Sequence, residues 1–275
     1  MIEQVTRFLP VDYREAISLF SETQIEEIRL RRGQVPSVNL CGKETPLSLP
    51  AVTEETINAV LTAAAGGSLY AAEPFLREGY LTIPGGHRIA ISGRAITENG
   101  LVRTINADSL NIRIARDLRG IGMVLQDSTL IAGPPGCGKT TMLRDCIRLL
   151  SDRKGERVSL ADERGEVGGY GAFSLGAATD IMSDCPKPIA IDLMLRTMNP
   201  QWIALDEITR EQDADALIRS AYCGVKLLAT CHTLGKDDLF RRPIYKRLLE
   251  SGIFTDLLMA EGDHRWSLKP MEELK

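Results

Sequence analysis

The chain has 275 residues, enough for one large domain or two ordinary ones with substantial hydrophobic cores. A formal net charge of −4 and an aromatic content of 5% argue against a surface built to bind free nucleic acid or to stack bases. No apolar run approaches the ~20 residues that cross a bilayer, and the six scattered cysteines include no Cys-x-x-Cys pair, so we expect a cytosolic protein with reduced thiols.

Residues 1–116 predict a small α+β domain built largely on antiparallel hairpins. Helices are expected over 1–25, 53–65 and 68–78, with Glu54 and Glu55 in the first turn of the second. Alternating apolar and polar residues predict strands over 27–31, 37–40, a short run to 49, 80–83, 87–96, 101–105 and 111–115. Asn99-Gly100 favours a hairpin turn, and residues 117–127 read as a linker.

A glycine-rich loop follows the apolar run 129–132 and precedes a helical pattern. It reads Gly133-Pro134-Pro135-Gly136-Cys137-Gly138-Lys139-Thr140-Thr141 and fits the phosphate-loop pattern. Its glycines let successive backbone N–H groups point at phosphate oxygens. The phosphates would then lie at the N-terminus of the following helix, where the free N–H groups and the helix dipole favour anions. Lys139 would reach the β- and γ-phosphates, and the Thr140 hydroxyl would hold Mg²⁺. The pattern therefore predicts a site for a nucleoside triphosphate, against the alternative of a glycine-rich turn that binds nothing.

After the loop helix, strands alternate with helices, which is typical of a parallel sheet. Buried strands are expected over 157–161, 202–205 and 225–231, helices over 189–198 and 213–223, and a terminal hairpin over 254–260 and 265–268. Residues 165–176 are rich in glycine and predict a mobile surface loop. Residues 128–275 thus predict an α/β ATPase domain.

Polar side chains follow each of the three buried strands. They are Asp162-Glu163, Asp206-Glu207 and the pair Thr230 and His232. The carboxyl ends of parallel strands meet at one edge, where ligands bind, so these groups should converge on the nucleotide. A phosphate-loop site needs an Asp for Mg²⁺ and a Glu that polarises the attacking water, and we assign these roles to Asp206 and Glu207.

Alternatives remain open at each of these positions. Asp206-Glu207 could merely cap the following helix, and Asp162-Glu163 is a second pair of the same kind, so that Glu163 is the other candidate base. His232 is placed to sense the γ-phosphate, but a lone histidine after a strand is often a satisfied core residue. Cys137 is either an oxidisable thiol in the loop or a small tolerated residue.

Three stretches resemble motifs of the type II/IV secretion ATPases. Residues 195–207 resemble their second motif, 162–166 their acidic box, and 228–232 their histidine box. The resemblance favours Asp206-Glu207 as the main acidic pair. It also makes Arg196, inside the second motif, a catalytic candidate or a brace for the acidic box.

Four further stretches, 26–33, 85–89, 109–116 and 133–140, resemble the stage III sporulation protein AA family over nearly the whole chain. The resemblance implies a RecA-like phosphate-loop domain with a parallel core, preceded by a smaller α+β domain. It implies an ATP- and Mg²⁺-dependent ATPase in the mother-cell cytoplasm, peripheral to the membrane, powering membrane-embedded channel proteins between mother cell and forespore. Relatives in the wider superfamily work as hexamers. Thr209-Arg210, where a glycine is expected, and the segment 165–190 depart from the pattern and put any partner surface there in doubt.

An arginine commonly stabilises charge on the γ-phosphate, and in secretion ATPases the N-terminal domain supplies it. The candidates on the predicted hairpins are Arg88, Arg94, Arg103, Arg113 and Arg116, although for any single one of them a solvated strand face is the favoured interpretation.

The leading hypothesis is an oligomeric ATPase motor without a stable nucleic-acid partner. A RecA-like nucleic-acid motor or helicase loader is the alternative, with a basic rim at Arg29, Arg31 and Arg32. A nucleotide-dependent scaffold fits less well because the catalytic residue types are intact. A small-molecule kinase also fits less well, because an Asp-Glu strand end suits the activation of water.

Overall fold

The computed structural model describes residues 2–67, 79–98, 101–262 and 265–274, without the side chains of 98, 101–105 and 274. The chain forms two compact units, Met1–Arg116 and Asp117–Lys275. No helix in the described part of the chain combines the length and apolar character needed to span a membrane.

The first unit is an antiparallel sheet with short helices. Its helices are α1 (Glu3–Thr6), α2 (Val11–Ser18) and α3 (Glu54–Ala64). Its strands are β1 (Ile25–Arg31), β2 (Ser37–Leu40), β3 (Lys43–Pro46), β4 (Tyr80–Ile83), β5 (His87–Glu98) and β6 (Leu101–Arg113), in the order β3-β2-β1-β6-β5-β4. The Thr53 side chain caps α3 by accepting a hydrogen bond from the Thr56 amide, and the apolar face of α3 joins the core of the sheet. The predicted α+β architecture is confirmed in this part.

Strand β6 is continuous where the sequence predicts two strands, so that prediction was wrong. The polar run Asn106-Ala107-Asp108 resembles a loop, but two register shifts in the β5–β6 pairing, at Ser92/Gly93 and Arg94/Ala95, accommodate it without breaking the strand. A Cβ on Gly93 would meet the Asn106 carbonyl oxygen, because the two backbones approach closely there. The predicted helix over 68–78 and the Asn99-Gly100 turn lie outside the described residues.

The second unit is built on a mostly parallel sheet. Its helices are α4 (Lys139–Lys154), α5 (Lys187–Thr197), α6 (Glu211–Tyr222), α7 (Lys236–Arg241) and α8 (Pro243–Glu250), with short 3₁₀ turns at Gly169–Gly171 and Met271–Leu274. Its strands are β7 (Thr129–Gly133), β8 (Val158–Asp162), β9 (Thr179–Ser183), β10 (Trp202–Leu205), β11 (Lys226–His232), β12 (Asp256–Ala260) and β13 (Trp266–Pro270). The order is β13-β12-β7-β11-β10-β8-β9, and among the described strands of this sheet only the β12–β13 pair is antiparallel.

Helices cover both faces of this sheet, which explains why β7, β8 and β10 are buried at every position. Alternate residues of a strand point to opposite faces, so Ile203 and Leu205 join the core beneath α5, α6 and α8. Trp202 and Ala204 join the core beneath α4. The carboxyl ends of the strands are thereby left as the place for polar groups.

The glycine-rich segment 165–176 is not the surface loop that its composition predicts. Val167, Phe173 and Leu175 are buried, and the Arg144 guanidinium lies 4.0 Å from the centre of the Phe173 ring. The segment leads into the edge strand β9, which its polar sequence did not reveal. Helices α7 and α8 were also not predicted.

Residues 117–127, the expected linker, run along α4 without forming a helix or strand. The Gly122 amide donates to the Asp145 carboxylate at 2.6 Å, and the Leu125 side chain is buried. A Cβ on Gly122 would lie 2.7 Å from the Asp145 backbone, so this close approach requires glycine. The segment therefore belongs to the packing of the second unit.

Candidate nucleotide-binding site

The phosphate loop connects β7 to α4, as the sequence predicts. Gly136 and Gly138 have φ values of 76° and 94°, in the left-handed region that favours glycine. Gly133 is required for a different reason, because a Cβ there would lie 2.7 Å from Cys137 Sγ and 2.8 Å from Ala260 Cβ. Pro134 and Pro135 are exposed at the tip. The loop thus has the conformation in which backbone N–H groups can cradle an anion at the start of a helix.

Lys139 lies within this loop. It is 6% exposed, and its ammonium donates a hydrogen bond of 2.8 Å to the Pro134 carbonyl and lies 4.0 Å from Cys137 Sγ. Within the described residues, no carboxylate forms an ion pair with it. A buried ammonium without a carboxylate partner leaves its charge available to a phosphate. Thr141 follows in the first turn of α4 and is partly buried.

Asp206 connects three elements of the site through hydroxyl groups. Thr140 Oγ1 donates to Asp206 Oδ2 at 2.7 Å, and Thr230 Oγ1 donates to Asp206 Oδ1 at 2.6 Å. The first contact joins α4 to β10, and the second joins β10 to β11. The predicted neighbours Thr140 and Asp206 therefore lie together at one sheet edge.

The Thr140 hydroxyl and the Asp206 carboxylate fit Mg²⁺, which prefers oxygen ligands. The described residues contain no group of three or more His, Cys, Asp or Glu side chains that could hold a metal. Mg²⁺ commonly takes one or two protein ligands and completes its shell with water and substrate phosphates. The two oxygen donors beside the phosphate loop match that requirement.

Glu207 is held in a strained backbone conformation. Its φ of 53° lies in the left-handed region, which costs a non-glycine residue about 1–3 kcal/mol. Its amide donates to Thr230 Oγ1 at 2.7 Å, and its carbonyl accepts a hydrogen bond of 2.5 Å from Lys187 Nζ. Its carboxylate Oε1 lies 3.2 Å from His232 Nε2. Contacts at the amide, the carbonyl and the side chain thus fix this residue.

His232 is half-buried at the end of β11, beside Glu207. Its Nδ1 atom is buried and has no hydrogen-bond partner in the described part of the chain. A core histidine usually has both nitrogens satisfied or solvated, so this orphaned atom favours a role in the site over a purely structural one.

Asp162 ends β8, but its partners are backbone amides. Its side chain is 2% exposed, with Oδ1 accepting from the Val167 amide at 3.2 Å and Oδ2 from the Gly168 amide at 2.8 Å. Burial raises the pKa of this carboxyl to about 6, although both amides oppose the shift. Asp162 therefore anchors the segment that follows its own strand.

Glu163 faces cations. Its carboxylate lies 3.9 Å from Lys187 Nζ and 3.7 Å from the Arg210 guanidinium. A cavity of about 30 Å³ lies between this residue and Glu207, and Asp162 and Asp206 also line it. That volume has room for a water molecule with several polar partners.

Arg196 does not lie in this site. Helix α5 begins with Lys187 at the site and runs back towards the amino ends of the strands. Arg196 follows nine residues later, about 14 Å along the helix at 1.5 Å per residue. There its Nε donates to the Asp192 carbonyl at 3.0 Å, and its side chain lines an open groove of about 590 Å³ with Trp202 and Lys226. Within a single chain Arg196 therefore lies away from the phosphate loop and the acidic box, and a role at the phosphates of a second copy stays a prediction.

Lys187 is a site residue that the sequence reasoning missed. It is 7% exposed, in the first turn of α5, and its ammonium also lies 3.7 Å from Asp213 Oδ2. Pro186 marks the helix start, but no motif sets this lysine apart from any other at a helix N-terminus.

Three of the five candidate arginines of the first unit have partners within that unit. The Arg88 guanidinium lies 3.6 Å from the centre of the Tyr80 ring, Arg113 lies 3.8 Å from Glu27, and Arg116 donates to the Ile25 carbonyl. Arg94 is exposed, and the side chain of Arg103 is outside the described set. Action of any of them on a second copy stays a prediction.

Comparison with known proteins identifies the family of this chain. A family model described as "Sporulation stage III, protein AA" matches residues 2–267. Stage III sporulation protein AA of Bacillus subtilis (strain 168) is 37% identical over 284 residues, covering 95% of this chain and 92% of that protein. Protein SEEDLING PLASTID DEVELOPMENT 1 of Arabidopsis thaliana is 30% identical over 159 residues, covering 54% of this chain and 23% of that protein.

Solved structures share the fold at low identity. The pilus retraction motor PilT with bound ADP superimposes with a TM-score of 0.61 at 16% identity, covering 94% of this chain and 81% of that one. The ATPase DotB of Yersinia pseudotuberculosis gives 0.61 at 15% identity, covering 93% and 77%. These likenesses confirm the predicted RecA-like phosphate-loop fold preceded by a smaller α+β domain.

Proposed function

This chain belongs to the sporulation stage III protein AA family, and from that premise we propose that it is a Mg²⁺-dependent ATPase of the secretion-motor type. The observation that carries the proposal is the hydrogen-bonded chain Thr140–Asp206–Thr230, with Glu207 and His232 beside it. These hydrogen bonds link the loop that would hold phosphate to the residue whose carboxylate would activate water, Glu207. Such a junction is the arrangement that ATP hydrolysis requires.

ATP binding is assigned to the phosphate loop, residues 133–141. Its backbone N–H groups and the N-terminus of α4 would hold the β- and γ-phosphates, and Lys139 would exchange its Pro134 contact for phosphate oxygens. When bound, Mg²⁺ held by Thr140 and Asp206 would offset the negative charge of the phosphates.

Glu207 is proposed as the general base. A water in the cavity beside it would give a proton to the Glu207 carboxylate while the water oxygen attacks the γ-phosphorus. The bond from that phosphorus to the β–γ bridging oxygen then breaks, which releases ADP and phosphate. His232, at 3.2 Å from Glu207, would orient the carboxylate and sense the γ-phosphate. Glu163 is the second candidate for the base.

Coupling to a larger assembly is also part of the proposal. We propose that copies of the chain form a ring, with six members by analogy to the wider superfamily, and that turnover drives domain motion. The ring would act on membrane-embedded channel proteins from the mother-cell cytoplasm. Membership of the sporulation family and the likeness of the fold to a pilus retraction motor support this reading.

ATP turnover per chain, measured over a range of protein concentrations with and without single-stranded DNA, tests the proposal. Turnover per chain that climbs with concentration and ignores DNA supports a motor with sites completed between copies. The variant Lys139→Ala controls for contaminating activity. Turnover that is flat with concentration but stimulated by DNA would instead favour the nucleic-acid motor, and absence of turnover at every concentration would contradict ATPase function.

A further inference from the structure

Lys187 is a buried cation beside the proposed chemistry that nothing in the phosphate-loop mechanism uses. Burying an ammonium is costly unless charges and hydrogen bonds compensate for lost water. At Lys187 the compensation comes from the Glu207 carbonyl at 2.5 Å, Asp213 Oδ2 at 3.7 Å and Glu163 Oε2 at 3.9 Å. All three partners belong to the segments that follow β8 and β10.

The contact with the Glu207 carbonyl has a specific consequence. Glu207 has a left-handed φ of 53°, and its amide is already fixed by Thr230 Oγ1. The Lys187 ammonium fixes the other end of the same residue, so the strained conformation is held from both sides. Without it, the carbonyl would lose a charge-assisted hydrogen bond and the backbone could relax away from positive φ.

The following residues are fixed by the same network. Asp213 Oδ2 accepts from the amides of Thr209 and Arg210 at 3.0 Å and 3.1 Å, which fixes the start of α6. Lys187 approaches this same oxygen. The lysine therefore connects the carbonyl of Glu207 to the residue that anchors the end of the 206–213 segment.

The lysine also distinguishes the two glutamates. The Glu163 carboxylate faces Lys187 and Arg210, so taking a proton would weaken two ion pairs. The Glu207 carboxylate contacts His232, and Lys187 contacts only the backbone carbonyl of Glu207. Lys187 thus forms an ion pair with the Glu163 carboxylate, whereas at Glu207 it contacts the backbone and leaves the carboxylate to His232.

We propose that Lys187 is a positioning residue that holds Glu207 in its strained conformation and engages Glu163 as a structural ion pair. The inference rests on the proposed ATPase function. It assigns Lys187 no contact with the nucleotide.

Kinetics of Lys187→Met and Lys187→Gln in the full chain test this role. Both variants remove the charge, while the glutamine keeps an N–H donor. We expect kcat to fall about 10- to 100-fold in Lys187→Met, as the loss of one charge-assisted hydrogen bond implies. KM and the affinity for a non-hydrolysable ATP analogue should stay within about threefold, and Lys187→Gln should recover part of kcat. The control is Lys246→Met, an exposed lysine paired only with exposed Glu250 in the described part of the chain, which should match wild type.

Hydrogen exchange without nucleotide gives a second readout that does not depend on hydrolysis. Amides of the 206–210 segment should exchange at least about 10-fold faster in Lys187→Met, while those of α4 stay unchanged. Unchanged exchange together with unchanged kcat would overturn the inference, as would a rise in KM that matches the whole loss. If Lys187→Met does not fold, amides of the 206–210 segment must still exchange faster in Lys187→Gln than in wild type, or the inference is overturned. A wild type without turnover would contradict the ATPase proposal while the exchange result still decides the role of Lys187.

Discussion

The ends of β8 and β10 have the same sequence, Asp-Glu after a buried strand, but different surroundings. Asp206 accepts hydrogen bonds from the hydroxyl groups of Thr140 and Thr230, next to the phosphate loop. Asp162 takes its hydrogen bonds from two backbone amides of the segment that follows it. We propose that the first aspartate shares a metal, whereas the second holds the segment that follows β8.

The two glutamates differ in the same sense. Glu163 faces two cations, and Glu207 faces a histidine from a strained backbone. Partners, and not the residue types themselves, therefore separate a chemical carboxylate from a structural one. We therefore propose that the end of β10 carries the chemistry and that the end of β8 supports it.

The largest effect is expected at the phosphate loop that serves both strand ends. Lys139→Ala should weaken ATP binding about 10²- to 10⁴-fold, because two charge-assisted hydrogen bonds to phosphate are worth about 1.5–3 kcal/mol each. Titration calorimetry with a non-hydrolysable ATP analogue measures this loss. Thermal unfolding controls for folding. An affinity within threefold of wild type would mean that the loop does not hold phosphate.

A smaller effect on hydrolysis is expected at His232, which contacts the Glu207 carboxylate but not that of Glu163. His232→Ala should lower kcat about 10- to 100-fold, which corresponds to one hydrogen bond to a charged group of about 1.5–3 kcal/mol. Nucleotide affinity should change little. The comparison fails at this point if His232→Ala hydrolyses ATP at the wild-type rate, since Glu207 would then need no orienting partner.

Asp162 is expected to have the smallest effect on the rate of hydrolysis. It should have a separate effect on the free energy of unfolding. Its pKa is about 6 in the folded chain against 3.8 for the free side chain, so the folded chain keeps a proton that the unfolded chain releases. The free energy of unfolding should therefore fall as pH rises from about 4 to 6, by about 3 kcal/mol, and level off above that window.

Denaturant unfolding of wild type and Asp162→Asn, both without nucleotide, isolates this contribution. The wild-type stability minus the variant stability should decrease as pH rises through the window, because only the wild type has the titrating carboxyl. A difference that increases with pH would show that the amides of Val167 and Gly168 outweigh burial.

The sequence predicts several strands well because their signal is local. The strands β2, β4 and β10 have the predicted bounds, and the polar groups after β8, β10 and β11 meet at one edge, as the parallel pattern requires. The phosphate loop and its contact with Asp206 could likewise be expected, because the motif fixes both partners.

Other features depend on tertiary contacts that no local pattern encodes. Strand β9 is a partly exposed edge strand of its sheet, and β6 remains unbroken because its pairing with β5 shifts register twice. Arg196 matched a motif, yet the direction of α5 carries it to the opposite edge. Lys187 matched no motif, yet the same helix places it in the site. The positions of Arg196 and Lys187 therefore depend on where α5 begins and on the direction in which it runs.

Single-turnover hydrolysis of ATP by Glu207→Gln and Glu163→Gln, side by side with wild type, tests the division between the two strand ends most directly. With protein in excess, product release does not limit the observed rate. Loss of a general base should slow Glu207→Gln about 10²- to 10⁴-fold with ATP still bound, while Glu163→Gln stays within about 10-fold of wild type. A normal rate in Glu207→Gln with a large loss in Glu163→Gln would reverse the assignment and make the end of β8 the chemical one.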